Sequence, residues 1–339
     1  MTWKFQSASR TFEQLRSLWD DMNRARGNHV LLDSGFVSPL LKHFAGPHVN
    51  LGINADSADS GLILLTSPGF CRWETFQPSQ APIGLFLLAE ADSSGQKLHR
   101  LIEKLPGFAL ELSVLQQDPD YSSLPPELNC PGLERSDYIQ TARIHVTGTF
   151  EDYWKARGNN LRHNLARRRR RLVEKGFAGE LVARRSRGEV LEAIAEYGRL
   201  ESLGWKGKDG TAVHPDNPQG RFYRDAFEHF CERGEGVIYQ FVVNGKVVAS
   251  DLCLLRGEMM VVLKTAYDEE MNEYSPALLM REDIMKQIFA ENRVRVVEFY
   301  GRVMDWHKRW TEEVRTMYHV TCTRYRWVPG LKRLLKRSQ

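Results

Sequence analysis

Apolar residues in this chain switch repeatedly between a period of two and a period near 3.6, and each switch marks a change from strand to helix. In the first half, β-prone stretches at Thr2–Gln6, Val49–Ile53, Gly61–Thr66, Ile83–Leu88 and Phe108–Leu115 predict strands. Helical spacing covers about Thr11–Arg26 and Ser94–Lys104. Between Gln117 and Arg135 the pattern gives way to Asp, Pro and Ser, as in Asp118-Pro119-Asp120 and Leu124-Pro125-Pro126, which predicts a surface connector.

The second half is sharper. Thr141–Val146 alternates like a strand, and a helical pattern from Phe150 to Lys175 closes on Gly176. Further helices are predicted over Gly188–Leu203 and Gln219–Glu232. Ile238–Val243 and Lys246–Leu255 flank Asn244-Gly245, a dipeptide suited to the two positive φ angles of a type I′ hairpin turn. A second turn near Arg256-Gly257-Glu258 returns the chain as Met259–Tyr267. If that loop is Arg256-Gly257, Asp251 opposes Val262 and Lys264 opposes Ala249, which puts both charges on one face. Tyr274-Ser275-Pro276 then opens a helix to Glu291, with Ser at the cap and Pro in the first turn. Val294–Tyr300 follows as an apolar strand. With the Gln117–Arg135 connector as the boundary, an α/β (α+β) fold of two domains is expected, 1–135 and 136–339, each a mixed, mostly antiparallel sheet flanked by helices; the order meander, helix, strand is shared by many α+β domains.

Composition narrows the class. A chain of 339 residues exceeds what one core usually serves, and 42% hydrophobic with 27% charged residues is ordinary for a folded protein. No apolar run approaches the roughly 20 residues of a membrane span. The start Met1-Thr2-Trp3-Lys4-Phe5 lacks the layout of a secretion signal, so a cytoplasmic location is expected. Cys71, Cys130, Cys231, Cys253 and Cys322 are scattered, with no CxxC pair and no His at ligand spacing, so neither a metal site nor a disulfide framework is expected. Net charge is only +4, yet arginines crowd Arg162–Arg171 and basic residues recur at Lys332–Arg337. Local patches of this kind attract phosphates even on a nearly neutral protein.

Several short strings then share one resemblance. They are Leu161-Arg162 with Arg167–Leu172 and Gly176; Glu201 with Gly204-Trp205-Lys206-Gly207; Gly210-Thr211-Ala212; Lys264-Thr265-Ala266-Tyr267-Asp268; Ser275-Pro276; and Glu298-Phe299-Tyr300-Gly301 with Lys308-Arg309-Trp310. Over Arg143–Arg315 their order resembles the cellulose-biosynthesis-associated, CelD-like acetyltransferases of the GNAT superfamily, which are similar to the FemAB-type tandem-GNAT transferases. The resemblance implies a duplicated GNAT fold whose N-terminal copy is non-catalytic, and transfer of an acyl group from a thioester, acyl-coenzyme A and above all acetyl-CoA, to an amine. GNAT enzymes often carry a Gln/Arg-x-x-Gly-x-Gly/Ala loop before the cofactor helix; here the stretch reads Glu273-Tyr274-Ser275-Pro276-Ala277.

Candidate chemistry follows from residue type and place. Asp251 and Glu298 interrupt apolar strands, where desolvation raises a carboxyl pKa toward that of a general base. Each also has an ordinary reading, as the partner of a hidden Arg or Lys, Lys264 among them. Tyr267 or Tyr300 could protonate a leaving thiolate. Lys264, Tyr267, Tyr274, Ser275 and Ala277 surround the expected carrier site, with Arg162 and Arg168 as phosphate ligands; the ordinary reading of the arginine helix is a solvated face. Glu201, Trp205, Lys206, His307 and Lys308 are the acceptor-side candidates, against packing of Trp205 between helices and an incidental loop His. Two rivals stand beside acyl-CoA: an aminoacyl-tRNA donor gripped by Arg162–Arg171, and a degenerate, non-catalytic scaffold in polysaccharide or envelope assembly. Duplex DNA is not an expected partner, because no helix-turn-helix or zinc motif accompanies the arginines. The tail Trp327–Arg337 sets Leu331, Leu334 and Leu335 among Lys and Arg, a pattern compatible with peripheral membrane contact.

Overall fold

The computed structural model describes residues 3–54, 60–89, 94–122, 124, 130–204, 212–325 and 327–328. The chain packs as two compact units, one of Met1–Gln140 with Thr316–Gln339 and one of Thr141–Arg315. The sequence placed the division at 135/136 and left the C-terminus with the second half. The terminal strand explains the difference. In Val314–Thr323, Tyr318, Val320 and Cys322 alternate inward and bury in the first unit's core.

In the first unit the strands are β1 (Lys4–Ser7), β2 (Asn50–Asn54), β3 (Gly61–Gly69), β4 (Arg72–Thr75), β5 (Phe86–Leu88) and β6 (Glu111–Gln117). Their order is β1-β2-β3-β4-β6 and then the terminal strand, with β5 alongside β3. Only β4 and β6 run parallel within that set. The helices are α1 (Arg16–Ala25), α2 (Ser34–Phe44) and α3 (Ser94–Lys104). The apolar side of α3 buries Leu98, Leu101 and Ile102 against the sheet.

The second unit carries β7 (Leu133–His145, from Thr141 onward), α4 (Phe150–Lys155), α5 (Asn159–Glu174), β8 (Gly179–Arg184), α6 (Val190–Leu203) and α7 (Pro218–Glu232). The meander β9 (Gly236–Val243), β10 (Lys246–Arg256) and β11 (Met259–Tyr267) follows, then α8 (Pro276–Glu291), β12 (Val296–Phe299) and α9 (Asp305–Lys308). The sheet order is β7-β12-β11-β10-β9-β8, antiparallel except for β11 with β12. What the sequence took as one helix, Phe150–Lys175, is two. Gly158 breaks it, and Thr149 and Gly158 begin the two pieces. Gly176 ends α5 at φ +76°, where Phe177 N donates to Leu172 O. Leu161, Leu165 and Leu172 are the buried stripe of that helix.

Asn244 and Gly245 take φ of +49° and +79°, as the hairpin between β9 and β10 requires. The next turn differs from expectation. Arg256 pairs with Met259, so the loop is Gly257-Glu258, and a bulge between Leu252 and Cys253 shifts the ladder again. Asp251 therefore opposes Thr265, and Lys264 opposes Leu252. Because side chains alternate across a strand, Asp251 and Lys264 lie on opposite faces of the sheet. Their expected pairing is replaced by two separate ion pairs.

Candidate functional site

The parallel pairing of β11 with β12 runs from Met259↔Val296 to Val262↔Phe299 and stops there, while β11 continues to Tyr267. Past the last rung the two chains part, and a cavity of about 420 Å³ opens. Lys264, Thr265 and Tyr267 line it from β11, and Phe299, Trp306 and His307 from the other side. Ser275, Ala277, Leu278 and Arg281 close it from the start of α8.

That helix start favours an anion. Ser275 holds the left-handed conformation, φ +48°, that lets the chain turn sharply into Pro276. Ser thus occupies a conformation usually left to Gly, and the loop turns without the family's glycines. Pro276 has no N–H, and the first-turn N–H of Ala277 has no acceptor inside the helix. Ala277 lines the cavity, so its amide and the positive end of the helix dipole face the same space.

Asp251 is completely buried, and its neighbours explain how. Its Oδ1 accepts a 2.6 Å hydrogen bond from Thr265 Oγ1, and its Oδ2 lies 2.7 Å from Arg281 Nη2, an ion pair off the hydrogen-bonding direction. Arg281 Nη2 in turn donates to Thr265 Oγ1 at 3.1 Å. Burial pushes the Asp251 carboxyl above its ordinary value, and Arg281 and Thr265 pull it back only in part. Asp251 does not itself line the cavity; Thr265 and Arg281 do.

His307 is 5% exposed and stacks on Trp306 with ring centres 3.5 Å apart. Burial, helped by the Arg281 charge, lowers its pKa from 6.5 to about 4, so the ring is neutral near pH 7. Its Nδ1 accepts from Met304 N at 2.9 Å, which leaves the proton on Nε2. His307 is therefore a hydrogen-bond donor on the cavity wall, with its lone pair already engaged.

The remaining candidates separate clearly. Both oxygens of Glu298 lie 2.7 Å from Arg315 Nη1, and the Arg315 guanidinium sits 5.4 Å from the buried Tyr300 ring; none of the three lines the cavity. Tyr274 is core, edge-on to Phe177. Lys308 is exposed beside Asp305. Glu201 is buried, accepting from Lys264 Nζ at 2.8 Å, Tyr197 Oη at 3.3 Å and Val213 N at 2.8 Å. Glu201, Glu269, Thr265 and Tyr267 line a second recess of about 80 Å³, so Thr265 and Tyr267 are walls of both spaces. Trp205 and Lys206, and the tail beyond 328, lie outside the described residues.

The arginine helix divides its charges. Arg169 is bound by Asp283 and Glu282 of α8, with contacts of 2.8 and 3.1 Å, and Arg162 bonds Asn159. Arg168 is half-buried and, among the described residues, has no carboxylate partner; burial and then Arg167, Arg309 and Arg171 depress its pKa. Arg309 follows directly on α9, whose His307 is in the cavity wall. No group of three potential metal ligands occurs among the described residues, and no helix there is long and apolar enough to cross a membrane.

Residues 159–309 match the family model described as an acetyltransferase (GNAT) domain. Over those residues the chain carries a GNAT domain of the acyltransferase kind. The narrower CelD-like resemblance rests on the sequence strings alone. No curated protein matches the chain. Among solved structures it is similar to FemX, with 10% identity over 98% of this chain and 99% of that one and a TM-score of 0.58. It is also similar to the C-terminal domain of a protein named as a lysylphosphatidylglycerol synthetase from Agrobacterium fabrum (12% identity, 93% and 95% covered, TM-score 0.54). A third similar structure is L-PGS from Bacillus licheniformis (12%, 95% and 96%, 0.51). These likenesses in fold run over nearly the whole chain, and both units have the expected make-up of a mixed, mostly antiparallel sheet with flanking helices.

Sequence reasoning missed Arg281, Thr265, Phe299 and Trp306. Arg281 had a signal: Ala277, Arg281, Ile284 and Ile288 form one helical stripe, and a guanidinium in an otherwise apolar row needs a buried partner. Thr265 lay in one of the shared strings, but nothing there gave it a role, because its importance comes from the bulge that set it opposite Asp251.

Proposed function

We propose that this GNAT protein moves an acyl group from an acyl-coenzyme A thioester directly to an amine, with Thr265 as the point where donor and acceptor meet. The observation that carries the reading is that Thr265, hydrogen-bonded to buried Asp251, lines both the large cavity and the recess beside Glu201 and Glu269. The residues present suit such a donor. The Ala277 amide and Arg168 offer anion contacts, and Leu278, Phe299 and Trp306 offer apolar walls for an extended arm. An ammonium group approaching by way of Glu201 and Glu269 meets carboxylates, and it must lose a proton before its nitrogen can attack. Thr265 Oγ1 takes that proton and passes its own to Asp251, whose raised pKa suits it to receive one. The N–H of His307 Nε2 is available to the oxygen that gains charge in the transition state. As the new C–N bond forms the C–S bond breaks, and coenzyme A leaves as its thiol, taking a proton from Tyr267 on the cavity wall, which solvent restores.

The test is calorimetric titration with acetyl-coenzyme A, followed by pH–rate profiles for Asp251→Asn. With an amine that supports turnover, the wild-type rate should fall as pH drops through the Asp251 pKa, and the variant should be slow with that acidic limb gone. An unchanged profile in Asp251→Asn would remove the relay.

A second reading, transfer from an aminoacyl-tRNA, is favoured by the crowding of Arg167, Arg168, Arg171 and Arg309, more positive charge than one small carrier needs. The likeness in fold to FemX and to a lysylphosphatidylglycerol synthetase domain is compatible with it. Binding of bulk tRNA that weakens steeply with salt, with no response to acetyl-coenzyme A, would select this reading.

A further inference from the structure

Arg281 holds more hydrogen-bonding capacity than the protein uses. Its side chain is 2% exposed and lines the cavity. Nη2 serves Asp251 and Thr265, but Nη1 is buried with no hydrogen-bond partner among the described residues. The guanidinium carbon lies 5.0 Å from the Phe299 ring centre and 5.8 Å from that of Trp306, and both rings belong to the cavity wall. Helix α8 carries this cation into the space where the reacting group has to sit, and a buried donor left unmade is costly unless a ligand completes it.

We propose that Arg281 recognises a carboxylate carried by one of the two substrates. The inference rests on the acyl-transfer reading and adds a substrate class to it. A planar guanidinium edge with its two Nη1 hydrogens, together with the Nε2–H of His307 on the same wall, matches the in-plane lone pairs of a carboxylate. Charge separates the candidates. Asp251 already pairs with Arg281, so an added anion must be held by the free Nη1 hydrogens themselves, and a single delocalised charge costs less to bury at this depth than a dianionic phosphate. Phe299 and Trp306 then flank a short carbon chain. The carboxylate has two possible sources: an acyl group that ends in one, as in the monothioester of a dicarboxylic acid, or an acceptor amine that is itself an amino acid.

The experiment titrates the full-length chain with matched probes in two arms. The donor arm compares succinyl-coenzyme A with acetyl-coenzyme A. The acceptor arm compares glycine with glycinamide, each in the presence of desulfo-coenzyme A. In one arm the carboxylate member should bind about ten- to a hundredfold more tightly, the range expected for a charge-assisted hydrogen bond made out of water. That ratio should fall to near one in the double variant Arg281→Gln with Asp251→Asn, which removes both charges together. It should shrink in Arg281→Lys, which keeps the charge and loses the planar edge. The ratio is read within each variant, so a general loss of stability does not imitate the result. Equal affinities within both pairs for the wild type overturn the proposal, as does a preference that survives the double variant. Binding of acetyl-coenzyme A to the wild type reports separately on the acyl-transfer reading, which stands if that ligand binds even when the carboxylate makes no difference.

Discussion

Lowering the pH from 7 to 5 should weaken the second unit through His307. The ring is held neutral by burial against Trp306 and Phe299 and by the nearby Arg281 charge, with its pKa brought from 6.5 down to about 4. A group whose pKa is depressed on folding adds stability that is present above the unfolded value and is lost as pH falls through the folded one. At about 1.4 kcal/mol per pH unit, His307 withdraws about 2 kcal/mol by pH 5 and about 3 kcal/mol by pH 4. Other groups titrate in that range, so the contribution is isolated by comparing wild type with His307→Gln, whose amide oxygen can still accept from Met304 N. Urea unfolding followed by the fluorescence of Trp306 and Trp310 measures both proteins at pH 7 and pH 5. The wild type should lose about 2 kcal/mol more than the variant. Equal losses, or an imidazole NMR titration with a midpoint near 6.5, would refute the assignment of a neutral, Nε2-protonated ring.

Three further outcomes are expected. Arg281→Met alone leaves the Asp251 carboxylate buried beside a methyl group and should cost about 3–5 kcal/mol, whereas adding Asp251→Asn should recover most of it; chemical denaturation of the two singles and the double measures the coupling. Ser275→Gly relieves the left-handed strain at φ +48° and should stabilise by up to about 1 kcal/mol, while Ser275→Val should destabilise by more than that, both read as changes in the denaturation midpoint. Arg168→Ala should weaken acetyl-coenzyme A about tenfold and flatten the salt dependence of binding, as one lost phosphate contact would, with thermal stability unchanged or raised because a crowded like charge is gone.

The elements that the sequence made plain are those whose signal is local. Asn244-Gly245 announced its turn because two consecutive positive φ angles admit few other residues. Ser275-Pro276 announced a helix start, and the leucine stripe of α5 announced its buried side. β4, β8 and α2 were passed over, being short or lacking a clean period. Register was not legible, since one unpaired residue, Leu263, moves Lys264 to the far face from Asp251. The candidate site divides in the same way. Asp251 and Glu298 stood out as carboxylates in apolar strands, but which of them adjoined a cavity depended on the neighbours supplied from α8 and from Arg315. The unit boundary escaped because the chain crosses back: Tyr318, Val320 and Cys322 alternate like any other strand, and nothing in them says which sheet they join.

The cavity owes its existence to a short piece of backbone. β12 makes four rungs with β11 and then turns away at Tyr300-Gly301, and the space is what remains where a fifth and sixth rung would have zipped the sheet shut. A vacancy made by stopping a ladder needs no particular side chains around it. Its lining is therefore open to replacement, residue by residue, while the length of one strand holds the shape.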